Sequence, residues 1–258
     1  MLPRERRIGK HRVHARTMVP GMNALVFSRV LLFGGVALSF PLAAVAVFHF
    51  GTDRGVTADV LSLVYALGIA VVLTTSFWPL RCTRDWNRLQ RIESLALIYL
   101  GMSYVSHLSW ELGWVVMRDA IAASPDAPWA YAWWAYIDGG DARYATDNVN
   151  LFVMEILSVT NGAVGILALV SYLRSGRSSL TAMLIMGATA VVHLYSASLY
   201  YLTELLAGLP NVDTSSFVGT YIKFGLANLP WLVCPWIVFW WLKEKVVTDR
   251  RSGPRVHS

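Results

Sequence analysis

Six stretches of this chain are long and apolar enough to cross a bilayer, and that pattern restricts the fold more than any motif does. They run from Ala24 to Phe50, Asp59 to Leu80, Ile92 to Met117, Val149 to Leu173, Leu180 to Gly208 and Phe217 to Leu242. A hydrocarbon core needs about 20 mostly apolar helical residues to span it, and only helices or closed barrels satisfy their backbone polar groups there. Charged residues make up 15% of the 258 residues, below the quarter or so usual for a soluble domain. The expectation is an all-α, polytopic membrane helix bundle with six transmembrane helices.

Loop charge gives an orientation. The tail before Ala24 holds six Lys and Arg residues, the loop 81–91 four, the loop after Leu173 two, and the tail after Leu242 five; the alternate loops hold Arg54, Arg118 and Arg143, with Lys223 near a helix end. Seventeen against four places both termini on the cytoplasmic side. The net charge of +6 then reflects topology and contact with anionic lipid rather than nucleic-acid binding. The first run is too long for the apolar region of a signal peptide, so it reads as a retained helix bent near Pro41. Residues 1–23 and 243–258 read as basic cytoplasmic tails, the second one mobile.

Against this apolar background the ionisable residues stand out, because charge inside a membrane is costly and marks function. His107 and Glu111 lie one helical turn apart in the third run, and Glu155 lies in the fourth. With alternating helix directions and a rise of about 1.5 Å per residue, Glu111 and Glu155 come to similar depths in the outer half of the bilayer. Asn228 and Trp231 reach a comparable depth. Residues three and four apart share a helix face, giving stripes of Tyr104, His107, Glu111 and Trp114; of Glu155, Ser158 and Gly162; and of Phe224, Asn228, Trp231 and Pro235. The stripes mix acid, imidazole, amide, hydroxyl and aromatic groups, as a shared cavity would.

Other polar residues read as structural: His193 as a hydrogen-bonded packing residue with a pocket role as the second reading, Asn161 as a link between helices, Glu204 and Lys223 as interfacial side chains that snorkel, and Arg29 as an anchor. The loop 118–148 is dense in Trp, Tyr and Asp. Two readings are open for it, an interfacial aromatic belt or a lid over the cavity. The carboxylate and histidine spacing does not match a di-iron bundle, and Cys82 and Cys234 have no metal-site spacing. No metal and no cofactor is expected. A carboxyl group in an apolar site can stay protonated and donate, and an indole face attracts cations. That chemistry suits protonation of a carbon–carbon double bond, transient stabilisation of a carbocation, and loss of a neighbouring proton.

At these residues the chain resembles the emopamil-binding protein family, the sterol Δ8-Δ7 isomerases and their relatives sharing the EXPERA domain. The resemblance is carried by His107-Leu108-Ser109-Trp110-Glu111, by Asp138-Gly139-Gly140-Asp141-Ala142-Arg143-Tyr144, by Met154-Glu155, by Leu194-Tyr195 with Leu199 to Glu204, and by Asn228-Leu229-Pro230-Trp231 with Pro235, in that order. It implies an EXPERA membrane domain over 59–242, with residues 24–50 as an extra N-terminal transmembrane helix. It implies His107, Glu111 and Glu155 as catalytic residues. Asn228, Trp231, Ser158, Tyr104 and Trp114 would bind substrate or carbocation, Ser158 standing where the family has a Thr. The chain departs from the family at Gly162-Ala163-Val164 and Ser196-Ala197.

The function expected on these grounds is a membrane-embedded isomerase of sterol metabolism that shifts a double bond in a sterol or other polycyclic isoprenoid. The alternatives are a non-catalytic sterol- or lipid-binding or trafficking protein of the sigma-2 receptor type, and a proton-initiated terpenoid cyclase. Its partners would be the lipid substrate and the bilayer, with a homodimer left open. The membrane would be the endoplasmic reticulum in a eukaryote and the plasma membrane in a bacterium.

Overall fold

A computed structural model describes residues 20–252, with side chains over 24–248; most of the N-terminal basic tail and Arg255 lie outside the described residues. The fold is all-helical, with no strand among the described residues. Five helices are long and apolar enough to cross a membrane: Ala24–Phe48, Arg54–Thr74, Val149–Arg174, Leu180–Ala207 and Val218–Thr248. The architecture is that of a multi-pass membrane protein.

Helix α1 (Pro20–Phe48) runs through Pro41 without ending, and α2 (Arg54–Thr74) follows after a short turn capped by Asp53, whose carboxylate accepts from the Val56 N–H at 2.8 Å. The apolar run reads as continuing to Leu80, but α2 stops at Thr74. Pro79 keeps the residue before it out of the helical region, and the chain folds back so that Ser76 and Thr83 offer carbonyls to Arg91. A capping box, Asn87 with Gln90, starts α3 (Arg88–Ser106).

The third apolar run contains a feature that spacing did not reveal. Between α3 and α4 (Leu112–Ala122) the residues His107–Glu111 form a π turn, with the Leu112 N–H reaching the His107 carbonyl five residues back. Helical structure is therefore continuous from Arg88 to Ala122 with one local widening. Such bulges are rare and concentrate at functional sites.

The loop that follows folds into a short 3₁₀ turn at Pro128–Ala130, helix α5 (Tyr131–Ile137) and a second 3₁₀ turn at Ala142–Ala145. Helix α6 (Val149–Arg174) is capped by Asn148 and α7 (Leu180–Ala207) by Ser179. A second, longer π segment, Val218–Leu226, leads into α8 (Leu229–Ser252). The break between them follows from Asn228-Leu229-Pro230: proline has no N–H to offer the preceding turn, and the Asn228 amide bonds the Phe224 carbonyl at 3.0 Å instead. Helix α8 runs ten residues past Leu242, into the tail read as mobile. Trp241 is fully buried beside Tyr172, Val246 packs on the same core, and the Arg88 guanidinium lies over the Trp240 ring at 4.4 Å.

Helices α3, α6, α7 and α8 pack in a ring, while α2 lies against the π segment 218–226 and α5, and α1 packs outside α2. One core cluster fills the end of the ring away from the loop helix and includes Tyr99, Tyr104, Tyr172, Met186 and Trp241. A second, around Trp114, Tyr144, Leu151, Tyr200 and Phe224, fills the loop end. Gly165 lets α6 meet α3, since a Cβ there would sit 2.2 Å from the Tyr104 ring. Helix α1 is the least embedded long helix. Arg29 fixes it, donating to Thr75 Oγ1, Ser76 Oγ and Ser94 Oγ at 2.8 Å each.

Candidate active site

Two cavities meet between the core clusters. The larger, about 410 Å³, lies between the α1–α2 layer and the ring. It is bounded by Phe33, Val36 and Phe40 of α1, Leu61 to Leu73 of α2, Tyr99 and Ser103 of α3, Trp133 of α5, and the 223–231 segment. Its walls are mostly apolar, and its volume falls in the range of roughly 300–1,000 Å³ typical of small-molecule sites. The stretch of α2 that lines it, Leu61 to Leu73, spans about 18 Å at the helical rise.

The smaller pocket, about 70 Å³, is polar. His107, Glu111, Glu155, Ser158, Asn228 and Trp231 all line it, with Tyr144, His193, Ser196, Ala197 and Tyr200. Glu111, Tyr144, Asn228 and Trp231 line both cavities and form their common wall. Six of the eight residues singled out by spacing and resemblance are thus brought together. Tyr104 and Trp114 are not at either wall. Tyr104 is fully buried and hydrogen-bonded to Thr189 Oγ1 at 2.6 Å; Trp114 is buried and donates to the Tyr144 carbonyl at 2.8 Å. Both support the site from behind.

The π turn presents His107 and Glu111 together. The His107 Nδ1 lies 3.2 Å from Glu111 Oε1, and Ser106 Oγ donates to both carboxylate oxygens at 3.3 Å. Across from them Glu155 is buried and accepts from the Tyr144 hydroxyl. Gly162 permits the approach of α6 to this turn: a Cβ there would lie 2.8 Å from His107 Cβ. Gly162, one of the positions where the chain departs from the pattern it resembles, is therefore a close-packing position under the histidine. The other, Ser196-Ala197, forms part of the small pocket wall.

The His107 and Trp231 rings are 6.0 Å apart, centroid to centroid. The Trp231 indole N–H is buried with no hydrogen-bond partner. Asn228 Nδ2 donates to Tyr136 Oη at 2.9 Å, and Tyr136 Oη lies 2.5 Å from Tyr200 Oη. Loop, π segment and α7 are joined by that chain.

His193, read as a packing residue, belongs to the site. Its Nε2 faces His107 Nε2 at 3.1 Å and its Nδ1 lies 3.0 Å from Tyr99 Oη. Helical spacing could not find it, because the pair is formed across helices. Asn161 does link helices, donating to the Thr189 carbonyl at 3.1 Å. Lys223 and Glu204 do not snorkel; both are buried. Lys223 Nζ donates to the Asp138 carbonyl at 2.7 Å and pairs with Asp59 at 3.0 Å, tying α2 to the loop.

The aromatic loop packs over the loop end of the bundle. Trp110 Nε1 donates to the Ala132 carbonyl at 3.1 Å, and Trp134 Nε1 to the Ile121 carbonyl at 2.8 Å. Its last turn carries a buried ion cluster. Arg143 grips both Asp141 oxygens, with Nη2 to Oδ2 at 2.7 Å, stands 3.2 Å from Glu204 and stacks on the Tyr200 ring at 4.6 Å. Burial opposes the charge on Arg143, but the Asp141 hydrogen bonds and charge outweigh it and hold its pKa above the ordinary arginine value.

No protein-family model matches the chain. It is 23% identical over 197 residues to the 3-beta-hydroxysteroid-Delta(8),Delta(7)-isomerase of Cavia porcellus, a match that covers 74% of this chain and 83% of that protein. It is 25% identical over 183 residues to the protein of the same name from Mus musculus, covering 70% and 76%. Over about 70% of its length or more, the chain is therefore similar, at low identity, to proteins named as isomerases of a 3-beta-hydroxysteroid.

Proposed function

We propose that this protein is a membrane-embedded isomerase that moves a carbon–carbon double bond in a sterol or related polycyclic isoprenoid. The observation that carries the reading is the junction of the two cavities: an elongated apolar chamber opens onto a pocket holding two carboxyl groups, an imidazole and an indole face. The similarity to named sterol isomerases points the same way.

In this reading the lipid's apolar body occupies the large cavity and its olefin reaches the shared wall. A carboxyl proton passes to one olefinic carbon, the π pair forms the new C–H bond, and the neighbouring carbon becomes cationic. The indole face of Trp231 stabilises that cation. The second carboxylate then takes a proton from the adjacent carbon, and the C–H pair becomes the displaced double bond. Glu111 and Glu155 are the two carboxyl groups, His107 assists Glu111, and Asn228 and Ser158 fix the geometry. Proton transfer by positioned groups is worth about 10²–10⁴-fold in rate.

The proposed topology has six crossings, with the 88–122 helix as the one outside the five most apolar, and both termini on the cytoplasmic side. The test is turnover of a Δ8 sterol by the purified protein, followed by chromatography that separates isomers of equal mass. Wild type is expected to convert it and to place solvent deuterium in the product. Glu111→Gln and Glu155→Gln are expected to abolish conversion; full activity in both would sink the assignment. Tight binding of sterols without turnover by wild type would favour a lipid-binding protein instead.

A further inference from the structure

Glu111 does not end at its histidine. Four side chains stand in file across the ring: Tyr99 Oη to His193 Nδ1 at 3.0 Å, His193 Nε2 to His107 Nε2 at 3.1 Å, and His107 Nδ1 to Glu111 Oε1 at 3.2 Å. Each is buried. Glu111 borders both cavities, while Tyr99, at the far end, borders the larger one. We propose that Tyr99 and His193 are positioning residues of the reaction, forming with His107 a neutral proton relay that sets the His107 tautomer and couples Glu111 to the large cavity. The inference rests on the reading of Glu111 as a proton donor.

The file permits only paired proton placements if no ring is to be charged. When Glu111 is a carboxylate, His107 Nδ1–H donates to it. His107 Nε2 must then accept, so His193 carries its proton on Nε2 and accepts from the Tyr99 hydroxyl through Nδ1. When Glu111 is the acid, it donates to His107 Nδ1 and every partner reverses: His107 Nε2–H donates to His193 Nε2, and His193 Nδ1–H donates to Tyr99 Oη.

One proton converts the first state into the second. While the cavity is open to water and before lipid fills it, a hydronium at the face of Tyr99 gives up a proton and becomes water. The Tyr99 O–H, His193 Nε2–H and His107 Nδ1–H bonds break as protons move one place along, and new bonds form at Tyr99 Oη, His193 Nδ1, His107 Nε2 and Glu111. The carboxylate is neutralised, and the reverse passage restores the first state.

The physical advantage lies in what is avoided. An imidazolium held in the apolar middle of a membrane bundle would be a costly buried charge, whereas in both end states of the relay His107 and His193 are neutral. A histidine used only for packing would not need both ring nitrogens engaged by titratable partners. Because a ring nitrogen's proton is set by what the other nitrogen bonds, His193 controls whether the His107 nitrogen that faces Glu111 carries a proton.

The experiment reads the rings directly and then the chemistry. Wild type, Tyr99→Phe, Glu111→Gln and His193→Gln are prepared with ¹⁵N-labelled histidine, and the ring ¹⁵N shifts report tautomer and charge. Both rings are expected to be neutral near pH 7 in wild type, and Glu111→Gln is expected to change the tautomer populations of His107 and His193 together. Tyr99→Phe is expected to shift the His107 signals although, of the two histidines, the Tyr99 hydroxyl bonds only His193. Independent tautomers, or an imidazolium at pH 7, would overturn the relay.

In turnover of a Δ8 sterol, Tyr99→Phe is expected to lower kcat by about tenfold or more, within the range of proton-transfer effects, with KM unchanged and the pH profile shifted. His193→Gln, whose amide can accept and donate but not relay, is expected to keep the fold and KM and lose kcat likewise. Wild-type turnover with unaltered kcat in both variants would overturn the relay and leave the isomerase reading standing. Coupled tautomers without any turnover by wild type would leave the relay standing and remove the isomerase.

Discussion

The indole N–H of Trp133 donates to the main-chain carbonyl of Trp110 at 3.1 Å. Trp110 belongs to the π turn that carries His107 and Glu111, so the helix of the aromatic loop is fastened to that turn itself. Trp133 also lines the large cavity. Replacing it with Phe keeps most of the ring and removes one hydrogen bond, worth about 0.5–1.5 kcal/mol. The expected result is a small loss of thermal stability and a rise in KM for a Δ8 sterol with a lesser change in kcat. A steady-state comparison of the two enzymes checks it; unchanged kinetics would separate the loop from the site.

The large cavity can be filled without touching any polar group of the small pocket. Ser62 lines it from α2, bonding only the Ala58 carbonyl of its own helix. Ser62→Phe places a ring in the apolar chamber. Binding of a fluorescent sterol, measured by titration, is expected to weaken by tenfold or more, about 1.4 kcal/mol, while the histidine signals of the small pocket stay in place.

Arg143 is the cation paired with two buried carboxylates, Asp141 and Glu204. Arg143→Met leaves both without their cation, and breaking a buried pair from one side costs about 3–5 kcal/mol. A large drop in the unfolding midpoint is expected. Arg143→Lys is expected to recover only part of it, because an ammonium cannot reproduce the two-pronged grip on Asp141. Full recovery with Lys would show that charge alone matters there.

Tyr131 gives the loop an alkaline limit. Burial, ahead of the neighbouring charges, raises its phenol pKa from the usual 10.0 to about 12, and its hydroxyl donates to the Arg54 carbonyl at 3.0 Å. A group whose folded pKa is raised binds its proton more tightly in the folded state, so the stability it contributes is complete below the unfolded value and declines as pH rises from about 10 towards 12. Thermal melts across that window are expected to fall for wild type and to fall less for Tyr131→Phe.

Gly165 tests how closely α6 and α3 must pack. Gly165→Val would press on the Tyr104 ring, and displacing that ring breaks its bond to Thr189. Overpacking of this kind costs about 1–3 kcal/mol, to be read as a lowered melting temperature. Gly162→Ala presses instead on His107 and is expected to cost turnover as well.

Much of this architecture was legible from periodicity alone. The long apolar runs and the shared faces of His107, Glu111, Glu155, Ser158, Asn228 and Trp231 follow from spacing along single helices. What was not legible depends on contacts between helices. His193 looked like one polar residue in an apolar run, and only α3 opposite it supplies His107 and Tyr99. Lys223 looked interfacial because it sits near the end of an apolar run, yet Asp59 and the Asp138 carbonyl meet it in the interior. Tyr104 and Trp114 share a stripe with the catalytic candidates, but each is buried in a core cluster instead, Tyr104 among α3, α6 and α7 and Trp114 at the loop end. The loop could be read two ways because its aromatic content is the same in a belt and in a lid.

The widening of the helix at the π turn has a consequence for chain length. In an α-helix each residue turns the axis by about 100°, and the wide turn at 107–111 takes up one extra residue without passing that rotation on to Leu112–Ala122. Deleting a single residue there would be a local loss. The wide turn would close to an ordinary α turn, Trp114 and Ile121 would keep nearly their present phase, and His107 and Glu111 would lose the angle that brings both to the small pocket.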